Sequence, residues 1–241
     1  MIRPRSGMVL AAGRGERLRP LTDNLPKPLV QIDERTMLDH AIDRLVAVGI
    51  ERVVVNVHYL ADQIIEHLKP RHDVEIVISR EDKVLETGGG VTNALTLLGD
   101  EPFFVLNGDS FILNGKASAL DRLAEAYDPD NVDAVLLLQR TASAVGYDGE
   151  RGDFLLDQMG RPTRRTATDV APYVFAGVQL LSPKLFRDVP AGPFSLNVIY
   201  DRAAESQRLL ALVHDGEWYH VGTPDGLETV RAQLAIRRTE R

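Results

Sequence analysis

The apolar segment Gly7–Ala11 runs straight into Leu10–Ala11–Ala12–Gly13–Arg14–Gly15–Glu16–Arg17–Leu18–Arg19–Pro20, and Pro26–Lys27–Pro28–Leu29 follows closely. No other stretch limits the fold as much, because a buried strand must end here in a loop of small residues and fixed cations. Ala11, Ala12, Gly13 and Gly15 let the backbone curl tightly and come close to a ligand. Exposed N–H groups in such a turn form an anion-binding concavity. Arg14, Arg17, Arg19 and Lys27 add positive charge in a chain whose formal net charge is -7. The combination predicts a loop wrapped around a triphosphate, whereas a plain surface turn would leave the arginines solvated. The dinucleotide fingerprint fails because Leu18 stands where its third glycine belongs, and no Gly-Lys-Ser/Thr of a P-loop occurs.

The remaining composition narrows the class. With 241 residues and 44% hydrophobic content the chain suits one large α/β unit. Its acidic balance argues against nucleic acid, whose binders carry a broad basic face. The absence of cysteine excludes disulfides and thiolate chemistry. No apolar run approaches the ~20 residues of a membrane span, and Arg3 and Arg5 lead into a strand instead of a cleavable signal. A cytoplasmic enzyme is expected.

Strands are expected at Gly7–Ala11, Val53–Val57, Val74–Ile78 and Phe103–Leu106. Helices are expected between them at Thr36–Val48, Ala61–Leu68 and Val91–Leu98. This rhythm implies right-handed βαβ units. Further strands are expected at Val132–Gln139, Phe154–Asp157, Tyr173–Leu180 and Leu209–Val213, with helices at Ala117–Tyr127, Pro183–Arg187, Val198–Ser206 and Pro224–Ile236. The fold class is α/β, a Rossmann-like three-layer αβα sandwich with a mixed, mostly parallel central sheet. Residues 1–241 read as a single domain, with a nucleotide-binding half over about 1–115 and a sugar-binding half over about 116–241. The histidines His40, His58, His67, His72 and His214 lack ligand-like spacing and read as helix-surface or strand residues.

Ligands of open α/β sheets bind beyond the carboxyl ends of the strands. Ala12–Arg19, Glu81–Gly90 and Asn107–Asp109 all fall there. A carboxylate such as Asp109 at the end of a buried strand is costly unless it is paired or bound to a metal, although Asn-Gly and Gly-Asp are also turn pairs. The glycines of Leu85–Glu86–Thr87–Gly88–Gly89–Gly90 permit close approach by a flat base or ribose, or simply begin a helix.

From Leu10 through Arg17, Pro20 and Thr22 to Pro26, Lys27 and Pro28, the chain resembles the signature of the sugar-1-phosphate nucleotidyltransferases, L-A-A-G-x-G-x-R-x-x-P-x-T-x-x-x-P-K-P. The segment Leu85–Gly90 is similar to the branch of short bacterial N-acetylmuramic acid 1-phosphate uridylyltransferases. The likeness implies a nucleotidyltransferase of the glycosyltransferase-A-like fold that joins a nucleoside triphosphate to a sugar 1-phosphate and releases pyrophosphate. It implies Arg17, Lys27 and Asp109 as catalytic residues. Leu10, Ala11, Ala12, Gly13, Arg14, Gly15, Glu86, Thr87 and Gly88 would line the nucleotide. Asn107, Gly152, Asp153, Phe175 and Gly177 would line the sugar, and Asp109 would hold Mg²⁺. The same framework serves guanylyl transfer to mannose or heptose 1-phosphates. The partners are small molecules, and the absence of a C-terminal extension fits a monomer.

Two positions depart from that pattern. In Trp218–Tyr219–His220–Val221–Gly222–Thr223–Pro224 a histidine replaces the family's second metal-binding Asp. His220 could bind Mn²⁺ or Co²⁺, donate to a phosphate, or stand by; imidazole suits Mg²⁺ poorly. Asp225 and Asp201 are substitutes without supporting spacing. No Glu-Lys-Pro motif supplies a lysine for the sugar phosphate, and Arg164 and Arg165 stand in roughly that stretch. Trp218 reads as closing the core beside the site. The departures keep a non-catalytic nucleotide-sugar-binding protein open as the competing function, with a dehydrogenase more distant.

Overall fold

The computed structural model describes residues 2–147, 149 and 151–239. In chain order the strands and helices are β1 (Ser6–Leu10), β2 (Gln31–Ile32), β3 (Arg35–Thr36), α1 (Met37–Ala47), β4 (Arg52–Val57), α2 (Ala61–Leu68), β5 (Glu75–Arg80), α3 (Glu86–Leu98), β6 (Phe103–Asn107) and β7 (Ser110–Leu113). There follow α4 (Ala119–Ala126), β8 (Ala134–Arg140), β9 (Ala144–Val145), β10 (Phe154–Leu156), β11 (Pro162–Arg164), β12 (Tyr173–Leu181), α5 (Asn197–Glu205), β13 (Leu209–Val213), β14 (Glu217–His220) and α6 (Pro224–Thr239).

Among the described residues a nine-stranded sheet runs through both halves of the chain. Strands β5, β4, β1 and β6 pair in parallel, β12 runs antiparallel to β6 and β8, and β13 returns parallel to β8. Parallel strands are covered on both faces, which β4 makes visible. Val53, Val55 and Val57 face the layer of α1, α2 and α4, whereas Val54 faces α3 and α5. Each such side chain taken fully from water contributes roughly 1.5–3 kcal/mol. Thr36 caps α1, its hydroxyl accepting from Asp39 N at 3.0 Å.

A second, smaller sheet of β7, β14 and β9 lies beside the large one. Phe111, Tyr219, Val221, Leu227 and Val230 form a separate core there, with Leu18 from the glycine loop. Periodicity had suggested neither β7 nor β14, because each is a four-residue strand whose partner is roughly a hundred positions away. The expected helix at Pro183–Arg187 is a single 3-10 turn, Pro183–Phe186, capped by Ser182. His58, His72 and His214 lie in connections and not in helices or strands. His214 is buried, with its Nε2 3.1 Å from Leu113 O, and burial lowers its pKa.

The helix expected from Val91 begins instead at Glu86 and includes Gly88, Gly89 and Gly90. Glycine costs ~1 kcal/mol in a helix interior, so packing has overridden propensity. A Cβ on Gly88 would sit 2.4 Å from the Phe194 ring, one on Gly89 2.5 Å from Gly192 O, and one on Gly90 2.9 Å from Glu81 Oε1.

Candidate active site

Three strand ends meet at the centre of the sheet, where Leu10 pairs in register with Asn56 on one side and Asn107 on the other. Buried polar groups tie the loops beyond them together. Ala11 N donates to Asn56 Oδ1 (2.8 Å), Asn56 Nδ2 donates to Glu81 Oε1 (2.7 Å), and Glu81 Oε2 accepts from Leu85 N (3.0 Å). Asn56 and Glu81 are 3% and 4% exposed. A buried carboxylate is tolerable only when its oxygens are satisfied, and here both are. The glycine loop and the start of α3 are thereby held in one frame.

The loop also closes on itself. Thr22 Oγ1 donates to Gly15 O at 2.8 Å. Gly15 has φ 63, and a Cβ there would meet Lys27 Cβ at 2.9 Å. Leu29 N and Val30 N donate to Pro26 O and Lys27 O, forming the short turn that carries Lys27. Its Nζ lies 2.8 Å from Asp109 Oδ2. Asp109 follows β6 in a turn whose Gly108 N donates to Leu10 O (3.0 Å). Burial pushes the Asp109 carboxyl up, but Lys27, His220 and Arg17 outweigh it and hold it below the ordinary carboxylate value. It is therefore ionised at neutral pH.

This pair stands where two clefts join. One, of about 210 Å³, is lined by Leu10, Ala11, Ala12, Gly13, Asn56, Glu81, Glu86, Thr87 and Asn107; the other, of about 610 Å³, by Gly13, Arg14, Gly15, Arg17 and Gly222. Lys27, Asp109 and Val84 belong to both. Most of the residues expected at the nucleotide are thus brought together. Gly88 is the exception. It does not line the cleft, and its N–H donates to Phe194 O at 2.8 Å. The absent side chain at Gly88 accommodates Phe194.

His220 arrives through pairing between β14 and β7, which sets it opposite Ser110, next to Asp109. Its ring stacks on Trp218 at 5.5 Å. Trp218 is 2% exposed and donates its indole N–H to Ala176 O at 2.9 Å. A Cβ on Gly222 would lie 2.5 Å from His220 Nε2 and 3.2 Å from Arg17 Nη1, so imidazole and guanidinium flank one glycine. Among the described residues no group of three or more His, Cys, Asp or Glu side chains gathers to hold a metal. Asp201, a conceivable substitute ligand, pairs with Arg164 at 2.7 Å instead.

The residues expected at the sugar divide. Asn107 lines the first cleft, and Gly177 lies against it, since its Cβ would meet Asn107 Cβ at 3.0 Å. Asp153, Arg164, Arg165 and Phe175 line a third cleft of about 520 Å³, which shares no lining residue with the other two. Gly152 and Asp153 organise that region. Gly152 O accepts from Arg165 Nε (2.7 Å), and Asp153 Oδ2 accepts from Phe175 N (2.9 Å), beside the register shift in β12. Arg164 and Arg165 thus stand together at this third cleft, among lining residues separate from those of the other two. Asn56, Asn197 and Tyr200 also line these clefts without having been singled out in the sequence, whereas Glu81 and Gly222 line them as members of the flagged segments Glu81–Gly90 and Trp218–Pro224. For Asn56 the available signal was a polar residue inside the otherwise β-branched strand predicted at Val53–Val57.

The sequence profile of the family described as nucleotidyl transferase matches residues 6–236. An N-acetylmuramate alpha-1-phosphate uridylyltransferase of Caulobacter vibrioides is 42% identical over 96% of this chain and 98% of its own length. One from Neisseria meningitidis serogroup B is 33% identical over 93% and 96%. Among solved structures, a UDP-glucose pyrophosphorylase complexed with UDP-glucose superposes with a TM-score of 0.80, covering 98% of this chain and 100% of that one at 16% identity.

Proposed function

The chain belongs to the nucleotidyl transferase family and is a sugar-1-phosphate nucleotidyltransferase, and on that premise we propose that it transfers a uridylyl group from UTP to N-acetylmuramic acid 1-phosphate. The observation that carries the reading is the Lys27–Asp109 pair, 2.8 Å apart at the junction of the two clefts. One cleft takes the nucleoside and the other the triphosphate tail.

The attacking sugar-phosphate oxygen is already anionic and needs no strong general base. Catalysis therefore lies in positioning and charge stabilisation, as in other phosphoryl transfers. Lys27 reaches the α-phosphate and counters its charge in the transition state. Arg17 and His220 Nε2, flanking Gly222, donate to the oxygens of the departing pyrophosphate. The Asn56–Glu81 link keeps the loop and the start of α3 at a fixed separation around the base.

Members of the family generally use divalent metal ions. Asp109, an ionised carboxylate at the junction of the clefts, suits Mg²⁺, which is bound by one or two carboxylates together with substrate phosphates and water. Asp109 holds it. When bound, the ion supplies charge compensation on the reacting phosphate. No helix among the described residues is long and apolar enough to cross a membrane, and the reaction belongs in the cytoplasm, where its nucleotide is found.

The test is a pyrophosphate-release assay crossing UTP, GTP, CTP, ATP and dTTP with N-acetylmuramic acid, N-acetylglucosamine, glucose and mannose 1-phosphates, each with Mg²⁺ and Mn²⁺. Turnover concentrated on UTP with N-acetylmuramic acid 1-phosphate is expected. A preference for GTP with mannose 1-phosphate would replace the substrate assignment while keeping the reaction. Nucleotide binding without turnover on any pair would favour a binding protein.

A further inference from the structure

Strand β14 presents successive side chains to opposite faces. Tyr219 packs into the small core with Phe111 and Leu227, whereas Trp218 belongs to the large one. His220, two residues on, lies on the Trp218 face. The two rings stack with centroids 5.5 Å apart and planes inclined by 23°. The Tyr147 ring closes the group, 6.0 Å from Trp218 and 6.3 Å from His220. Trp218 is the chain's single tryptophan, and it is buried.

The χ2 torsion of histidine is broad, so the plane of its ring is set by its neighbours. A stack takes up the face of the imidazole and leaves the edge, where the nitrogens are. Here that edge is turned to Gly222, whose Cβ would lie 2.5 Å from His220 Nε2 and 3.2 Å from Arg17 Nη1. The indole is fixed in its turn. A buried indole N–H needs an acceptor, and Trp218 Nε1 has one in Ala176 O at 2.9 Å. Ala176 precedes Gly177, whose Cβ would sit 2.4 Å from Ser110 Oγ. Ser110 stands opposite His220 in the register of β7 and β14. The indole thus ties β12 to β14 at the level of His220. An aliphatic side chain would fill the same space without fixing the ring beside it.

We infer that Trp218 is a positioning residue for His220: its indole face holds the imidazole plane so that Nε2 points beside the Arg17 guanidinium. The inference rests on the proposed reading of His220 as a donor to the departing pyrophosphate, and it extends that reading to a residue outside the clefts. Trp218 lines none of the three. Its effect on pyrophosphate therefore passes through His220, and removing both rings costs little more than removing the imidazole alone. Residues in contact that act as one unit are non-additive in this way.

The experiment runs the reverse reaction, with inorganic pyrophosphate and the nucleotide sugar formed in the forward assay, in the presence of Mg²⁺. It compares wild type, His220→Ala, Trp218→Leu, Trp218→Phe, and Trp218→Leu combined with His220→Ala. His220→Ala raises KM for pyrophosphate by about tenfold, the loss of a donor to a charged oxygen, with KM for the nucleotide sugar little changed. Trp218→Leu reproduces most of that rise. Trp218→Phe keeps a stacked ring and gives about two- to threefold, and the double variant is no worse than His220→Ala. Titration with pyrophosphate changes the Trp218 fluorescence in wild type and leaves it unchanged in His220→Ala. Trp218→Phe and the fluorescence titration keep the inference testable if Trp218→Leu does not fold. Three results would overturn it while leaving the pyrophosphate role of His220: multiplying effects in the double variant, equal losses on both substrates in Trp218→Leu, or a fluorescence response absent from wild type or surviving His220→Ala. An unaltered KM for pyrophosphate in His220→Ala would instead overturn that role and the inference with it.

Discussion

The cleft at Lys27–Asp109 and the cleft at Arg165 are built by opposite means. At Lys27–Asp109, polar groups are withdrawn from water and every link is short-range and satisfied: Ala11 to Asn56, Asn56 to Glu81, Glu81 to Leu85, Gly15 to Thr22. At Arg165 the charges stand at a wider, more polar cleft. They are placed by a strand irregularity in β12 and by a hairpin of β10 and β11 at the sheet margin. A site that stabilises transient charge gains from low local dielectric and rigid donors. The contrast explains why the largest loss of turnover is expected at the Lys27–Asp109 cleft.

The hardest test of that contrast lies at Lys27 and Asp109. Lys27→Ala or Asp109→Ala should lower kcat by about 10²–10³, the range for loss of one preorganised electrostatic partner, with circular dichroism unchanged. Near-normal turnover would remove the distinction between the two clefts. Next in size is the frame beneath them. Glu81 accepts two N–H donors, so Glu81→Gln turns an amide donor onto one of them and should cost about 1–3 kcal/mol in denaturant unfolding, with KM for the nucleotide raised. Gly88→Ala forces a methyl against Phe194 and should destabilise by about 1–3 kcal/mol, partly restored by Phe194→Leu. Absence of that restoration would show that α3 is held by something other than this contact.

His220→Ala should raise KM for the nucleotide by about tenfold, as expected for a donor to a charged oxygen, without altering the Mg²⁺ concentration needed for half-maximal rate. A changed metal requirement would give the ring to the metal instead. The smallest effect concerns His214, which lines none of the three clefts. Burial holds its folded pKa below the usual value of about 6.5, so the unfolded chain binds the proton first. Stability is fully present above that value and falls as pH drops through it. His214→Gln should therefore show a shallower loss of Tm between pH 7.5 and 5.5 than wild type, measured by calorimetry.

Much of the βαβ half was legible because its signals are local. Val53–Val57 alternates between two buried faces, Thr36 caps α1, and the run from Leu10 to Lys27 names its own ligand chemistry. What escaped was non-local or contrary to propensity. Glu81 is a lone acid at a strand end, unremarkable until Asn56 and Leu85 are seen to meet it. Three glycines read as a helix start, yet they lie inside α3 because Phe194, Gly192 and Glu81 occupy the space their side chains would need.

Sequence by itself determined that this chain forms an α/β sandwich with an anion-binding loop after its first strand, and that Arg17, Lys27 and Asp109 are its reactive candidates. The sandwich and the loop follow from periodicity and from residue chemistry within some tens of positions, whereas the three reactive candidates are what the resemblance to the nucleotidyltransferase signature implies. Only the tertiary structure decided which of these groups meet, that His220 joins them by pairing β14 with β7, and that Arg164 and Arg165 face a cleft of their own. The reason is physical: covalent order specifies what each segment can bury or donate, but the distance between two segments is settled by the packing of everything between them.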